Sequence, residues 1–197
     1  MKIVIFGPTG VIGSRIVAEL ERRGHRVVGA SRATGADVTD PAQVAETVAG
    51  ADAVVSAISA RTGDFTLADA ASSLADGLRR AGVRRLVVVG GAGSLEVQPG
   101  VRLVDTPDFH EQWKPEALAQ ADALEVYRGI EDLDWTYVSP AASIHPGERT
   151  GAYRLGGDQL LVDEQGNSEI TAEDYAIAIA DLVDEGSHPC ERVTAAW

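Results

Sequence analysis

Apolar positions change their period again and again along this chain. Lys2 to Phe6 is a continuous apolar run closed by Gly7-Pro8, and from Val11 to Leu20 apolar residues recur at helical spacing until Gly24. This predicts strand, turn and helix. The alternation returns as a strand at Arg26 to Ala30, a helix opening at Pro41 after Asp40, a strand at Ala53 to Ala57, a helix over Phe65 to Ala81 and a strand at Arg85 to Val89. Strands alternating with helical stretches pair in parallel through right-handed crossovers, because tight turns cannot join consecutive parallel strands. The first half of the chain therefore reads as an α/β doubly wound parallel sheet.

The period is lost from Gly91 to Lys114, a stretch that reads as one long loop of the kind that covers a site. Beyond it the pattern predicts a helix over Pro115 to Arg128, a strand around Trp135 to Val138, a turn-rich segment through Gly157 and a short strand at Gln159 to Val162. A helix at Thr171 to Asp184, with Glu173 and Asp174 in its first turn, and a closing strand at Arg192 to Ala196 complete the series. No repeat or Gly/Ser linker divides it. The expectation is one domain over 1–197 with a small C-terminal substrate-side extension.

Composition narrows the function classes. A chain of 197 residues, 45% of them hydrophobic, can bury a full core without disulfide or metal support. Apolar runs such as Leu86 to Val89 are strand-sized, far short of a membrane span, and Gly7-Pro8 cuts the first run too early for an export signal. A cytoplasmic protein away from membranes is expected, as monomer or homodimer. Seventeen basic residues against thirty acidic ones give a net charge of −13, which repels polyanions and argues against nucleic-acid partners. Cys190 is the lone cysteine, and it follows His188-Pro189 outside any helix-start or elbow motif. The four histidines and this cysteine have no metal-ligand spacing, there is no GxSxG elbow, and Asp105, Asp108 and Glu111 read as solvated charge.

Candidate chemistry begins at Gly7-Pro8-Thr9-Gly10-Val11-Ile12-Gly13, a GxxGxxG turn between the first strand and the first helix. Gly7 permits the tight turn, Gly10 lets backbone approach a pyrophosphate, and Gly13 lets helix pack closely on strand, while the helix N-terminus offers unpaired N–H donors to phosphate. Dinucleotide binding follows. An NAD-specific site presents an acid to the ribose at the end of the second strand, yet here stands Gly29-Ala30-Ser31-Arg32. Ser31 and the Arg32 guanidinium suit a 2′-phosphate, so NADP is expected over NAD; otherwise Arg32 is a solvated loop residue and both cofactors bind alike.

Further words along the chain are ASR at Ala30 to Arg32, GADVTD at Gly35 to Asp40, VVVGGAGSL at Val87 to Leu95, DWTYVSPA at Asp134 to Ala141, ERTGAYRL at Glu148 to Leu155 and ITAEDYA at Ile170 to Ala176. With the glycine turn they resemble the atypical short-chain dehydrogenase/reductases, in particular the NAD(P)-binding, NmrA-like branch of NADH-flavin reductase and biliverdin reductase B type. The resemblance spans nearly the whole chain and implies a Rossmann fold. It implies that Asp37 and Val38 lie against adenine and that Ala57, Ile58 and Ser59 line the path from ribose to nicotinamide. By the same resemblance Gly90 and Gly91 stand where the site opens, Pro140, Ala141 and Ala142 face the nicotinamide, and Tyr153 lies on the substrate side.

Ordinary members of that superfamily protonate a carbonyl with a tyrosine activated by a lysine four residues on. Here the residues four after Tyr127, Tyr137, Tyr153 and Tyr175 are Glu131, Ala141, Gly157 and Ile179. Without that pair, hydride transfer to a flavin or quinone-like acceptor remains, with flavin as substrate and not as bound cofactor. Phe109 and Trp113 would give such an acceptor an aromatic wall, or else anchor the loop. Ser94 and Ser143 would orient cofactor or acceptor, or else cap backbone, and His145, with His110 behind it, would donate a proton or be a surface residue. Relatives resembling biliverdin reductase use a serine near the position of Ala92, from which Ser94 is displaced. Three functions stay open: an NADPH-dependent reductase of planar acceptors, a non-catalytic dinucleotide sensor of NmrA type, and an atypical reductase or isomerase of a carbonyl compound.

Overall fold

The computed structural model describes residues 1–59 and 65–197. Among these the chain runs β1 (Lys2–Phe6), α1 (Val11–Arg22), β2 (Arg26–Ala30), α2 (Pro41–Val48), β3 (Ala53–Ser56), α3 (Leu67–Ala81) and β4 (Arg85–Val89). It continues through β5 (Glu96–Gln98), β6 (Val101–Arg102), α4 (Lys114–Arg128), β7 (Asp134–Pro140), β8 (Ser143–His145), β9 (Arg154–Gly156), β10 (Glu169–Thr171), α5 (Ala172–Glu185) and β11 (Glu191–Ala196). The main sheet has the order β2-β1-β3-β4-β7-β11-β9, parallel except for β9 at the edge.

The central strands are mostly apolar because both their faces are covered. Val4, Val54, Leu86 and Tyr137 pack under α3 and α4 with Leu74, Leu78 and Leu124, whereas Ile3, Val55, Val87 and Val138 pack under α1 and α5 with Ile16, Leu20 and Ile179. Successive strand residues point to opposite faces, which yields two cores on one sheet. This is the doubly wound α/β architecture expected from the pattern.

Three segments differ from expectation. The stretch read as a loop holds the antiparallel hairpin β5–β6, and the turn-rich segment holds β8, whose parallel partner is β10. The expected strand at Gln159 to Val162 does not form. Gln159 makes a single bridge to Glu96, and Leu161 folds back over Gly156, so β9 takes the free edge of β11 instead.

One ion cluster ties α1 to the segment before β9. The Glu19 carboxylate, only 5% exposed, accepts from Arg22 Nη2 at 2.7 Å, Arg23 Nε at 2.9 Å and Arg149 Nε at 3.1 Å. Burial pushes its pKa up, but the three guanidiniums prevail and bring it from 4.5 to about 2. A carboxyl whose folded pKa is depressed stabilises the fold above its unfolded pKa and loses that contribution as pH falls towards the folded value. Between pH 6 and pH 3 the expected loss from Glu19 is about 2 kcal/mol. Glu19→Gln should flatten the acid limb of the urea-midpoint profile by that amount, and an unchanged limb would rule out this cluster as its source.

Candidate functional site

The turn after β1 is shaped by two contacts that exclude any Cβ. Gly7 has φ +82°, and a Cβ there would stand 2.4 Å from the Ala57 carbonyl oxygen; at Gly13 it would stand 2.0 Å from the Gly7 oxygen. Helix α1 is thereby drawn down onto β1 and β3. Asp40, Thr66 and Thr171 cap α2, α3 and α5 with side-chain oxygens, but α1 begins at Gly10 with no side-chain cap. The first-turn amides of Val11, Ile12 and Gly13 consequently project from the C-terminal edge of the sheet with the positive end of the helix dipole.

Above this turn lies a cleft of about 740 Å³. The chain passes from β1 to β2 on one side and then to β3 on the other, so the cleft sits at the point where strand order reverses, the usual place for a ligand in such sheets. Gly7, Thr9, Gly10, Ser31, Arg32, Asp37, Val38, Ala57, Ile58 and Ser59, all expected at the cofactor, line it together. The sequence did not single out Phe6 and Phe65, which add apolar wall. No acid stands at Ser31-Arg32. The Asp37 carboxylate accepts from the Thr39 hydroxyl at 2.7 Å and its N–H at 2.9 Å; these bonds, with help from the Arg32 charge, hold its pKa below the usual carboxylate range.

The residues expected along the nicotinamide path follow at the ends of neighbouring strands. Gly90 and Gly91 end β4, and Pro140 to Ala142 end β7. Packing accounts for both glycines, since a Cβ on Gly90 would meet the Tyr137 ring at 2.1 Å and one on Gly91 would meet Gln120 at 3.0 Å. Their amides are also engaged, donating to the Val138 carbonyl and the Tyr137 hydroxyl. Ala141 is buried, and the Ala142 amide donates to Ser168 Oγ at 3.1 Å. Ser143 and His145 lie exposed on β8.

Other expected residues go elsewhere. The Ser94 hydroxyl accepts from Arg192 Nη1 at 3.2 Å, within an ion cluster formed by Arg192, Asp158 and Arg128. Tyr153 is corrected from the substrate side: it packs against the α1–α5 core, and its hydroxyl donates to Asp181 on α5, beside Arg23 at the far end of α1 from the glycine turn. Phe109 is half-buried in the turn that follows Thr106, and Trp113 is exposed ahead of α4, with His110 exposed between them. Cys190 donates its thiol to the Leu133 carbonyl.

The tyrosines are built into the packing. Tyr127, Tyr137 and Tyr175 are fully buried, and burial raises all three pKa values above the ordinary phenol range; burial and then the Asp181 hydrogen bond do the same to Tyr153. Tyr137 donates to Gln120 and Tyr175 to the Val138 carbonyl, so their hydroxyls fasten the core under the strand ends.

The words ERTGAYRL and ITAEDYA turn out to be two halves of one clamp. Glu173 accepts from Arg15 Nε at 2.6 Å and from the Gly147 N–H at 2.8 Å. Asp174, wholly buried, accepts from the amides of Thr150 and Gly151 at 2.8 Å each, from the Thr150 hydroxyl and from Trp197 Nε1 at 2.9 Å. The sequence placed these acids in the first turn of α5 but could not show their partners. Trp197 carried no signal of its own.

The Rossmann sheet, the glycine turn and the cleft over the strand reversal define a dinucleotide-binding protein. The chain belongs to the NAD(P)H-binding family, whose model matches residues 7–186. It is 39% identical to the uncharacterised protein YwnB of Bacillus subtilis (strain 168), over 98% of this chain and 97% of that one. Among solved structures it resembles a proposed exported protein of Burkholderia pseudomallei, with 48% identity, TM-score 0.91 and full coverage of both chains. A proposed NADH-flavin reductase of Streptococcus pneumoniae TIGR4 is 34% identical with TM-score 0.84, covering 100% of this chain and 99% of that one. Among the described residues no helix is long and apolar enough to cross a membrane.

Proposed function

We propose that this protein is an NADPH-dependent reductase that passes hydride to a flavin or quinone-like planar acceptor. The observation behind the cofactor choice is the end of β2, where Ser31 and Arg32 line the cleft and the residues directly after the strand carry no carboxylate, the cleft's acid being Asp37 further on. The likeness to the Streptococcus protein, proposed to be an NADH-flavin reductase, supports the acceptor class. The buried tyrosines point the same way. A ring acceptor takes two electrons into a delocalised system and draws its protons from water, so it needs no phenolic acid at the nicotinamide.

In this reading the uncapped start of α1 holds the pyrophosphate, Val38 and its neighbours hold the adenine, and the ends of β4 and β7 bound the nicotinamide. When bound, the cofactor supplies the hydride. The chain supplies position and exclusion of water.

Arg32→Ala is expected to weaken NADPH binding by roughly ten- to a hundredfold, the worth of one or two charge-assisted hydrogen bonds, and to leave NADH within about twofold. Calorimetry with both cofactors checks this, and equal losses for NADPH and NADH would defeat the assignment. Turnover is tested separately, by NADPH oxidation on adding riboflavin, FMN or menadione. Binding without turnover of any of them would move the protein to the sensor class.

A further inference from the structure

We infer that Trp197 and His145 form the face on which an uncharged planar acceptor docks. The inference rests on the reductase reading and adds a subsite that the glycine turn and cleft do not contain. Trp197 stands just past β11, and β11 is paired with β7 so that Ala195 lies opposite Pro140. Past that pair the chain end turns to β10, which stands between Trp197 and the segment that leaves β7. The Trp197 N–H donates to the Glu169 carbonyl at 3.0 Å, and Glu169 in turn is registered with Ser143 of β8. The subsite is continuous with the row of strand ends that begins at Arg32.

The residue is fixed and yet partly exposed. Asp174 takes the indole N–H at 2.9 Å, Arg154 Nε donates to the Trp197 carbonyl at 2.7 Å, and the backbone N–H is held as well, while 40% of the residue stays exposed. Trp135, by contrast, is 3% exposed within the core. One hydrogen bond on the ring and two on its backbone fix this tryptophan in place, which amounts to preorganisation for a flat partner. The His145 ring meets it edge-on at 6.3 Å and 69°, closing one side of the shelf.

Charge selects the acceptor. Arg154, the cation on this shelf, is committed to the Trp197 and Val162 carbonyls, and Glu169 and Glu148 stand exposed nearby. A phosphorylated or carboxylated acceptor would gain no fresh cation from these groups, whereas a neutral quinone or an isoalloxazine without its phosphate would lose nothing.

Menadione is the probe. In steady state Trp197→Ala should raise its KM about tenfold with the NADPH KM unchanged, and Trp197→Phe, which lacks the Asp174 hydrogen bond but keeps a ring, should stay within about threefold of wild type. A purely structural Trp197 would make the two variants equally poor, and that result overturns the proposal. A second readout needs neither turnover nor the alanine variant. Menadione added to protein loaded with NADP⁺ should quench tryptophan fluorescence saturably, the quench surviving Trp113→Phe and disappearing in Trp197→Phe. Loss of the quench in Trp113→Phe, or no quench in wild type, also overturns it. If the quench maps to Trp197 while NADPH is never oxidised, the subsite stands and the reductase reading falls.

Discussion

Replacing Gly10 with valine is expected to leave the fold standing and to abolish dinucleotide binding. At Gly10 the backbone has φ −70° and ψ 169°, extended geometry open to any residue, and the nearest atom to an added Cβ is the Gly7 oxygen at a comfortable 3.8 Å. Nothing within the protein demands glycine there. The cost to stability should be about 1 kcal/mol, that of a poor residue at a helix N-cap. The branched side chain would, however, cover the first-turn amides of α1, and losing two charge-assisted hydrogen bonds to a pyrophosphate weakens binding by at least about a hundredfold. Gly7→Ala and Gly13→Ala make the contrast, because their Cβ atoms collide with backbone oxygens at 2.4 and 2.0 Å and should damage the fold itself. Thermal melts and calorimetry on the three variants separate the roles. A Gly10→Val protein that binds NADPH as wild type does would remove the phosphate site from α1.

The glycine turn could be read from sequence because every requirement it expresses is local. Strand period, turn glycines and helix period lie within the first twenty residues, and the structure keeps all three. The position of Arg32 was legible for the same reason, since it directly follows β2, and it lines the cleft. What sequence could not show is pairing at a distance. The extended geometry of β8 depends on β10, and Ser143 and His145 look like turn residues until Glu169 and Thr171 are set beside them. Tyr153 was misplaced because a side chain near the substrate-side motif has two faces to choose between, and Asp181, in the second half of α5, decides the matter. Gly90 and Gly91 show the converse hazard. They are expected at the ligand, yet the Tyr137 ring alone already requires Gly90 and Gln120 crowds Gly91, so packing gives a second reason for both.

The largest loss of stability is expected at Asp174, the carboxylate that holds two amides, a hydroxyl and an indole N–H in the interior. Burial alone would raise its pKa; these donors outweigh burial and keep it below the usual carboxylate range, so the group is ionised in the folded protein at neutral pH. Asp174→Ala would strand the amides of Thr150 and Gly151 and the Trp197 indole together, at roughly 4 kcal/mol for a coupled network of this kind. For a domain of this size that is a fall in Tm of about 10 °C. Asp174→Asn keeps one acceptor oxygen but turns an NH2 group towards donors, and should lose about half as much. Because the folded pKa is depressed, the wild-type contribution is complete above the unfolded carboxyl range and fades as pH drops through it, and neither variant should show that dependence. Melting curves of the three proteins at pH 7 and pH 3.5 test this, and an alanine variant that melts within 2 °C of wild type at pH 7 would show the clamp to be dispensable. The same substitution would also free the Trp197 ring, so a stable Asp174→Asn protein with a raised menadione KM would connect the anchor of α5 to the acceptor shelf through one carboxylate.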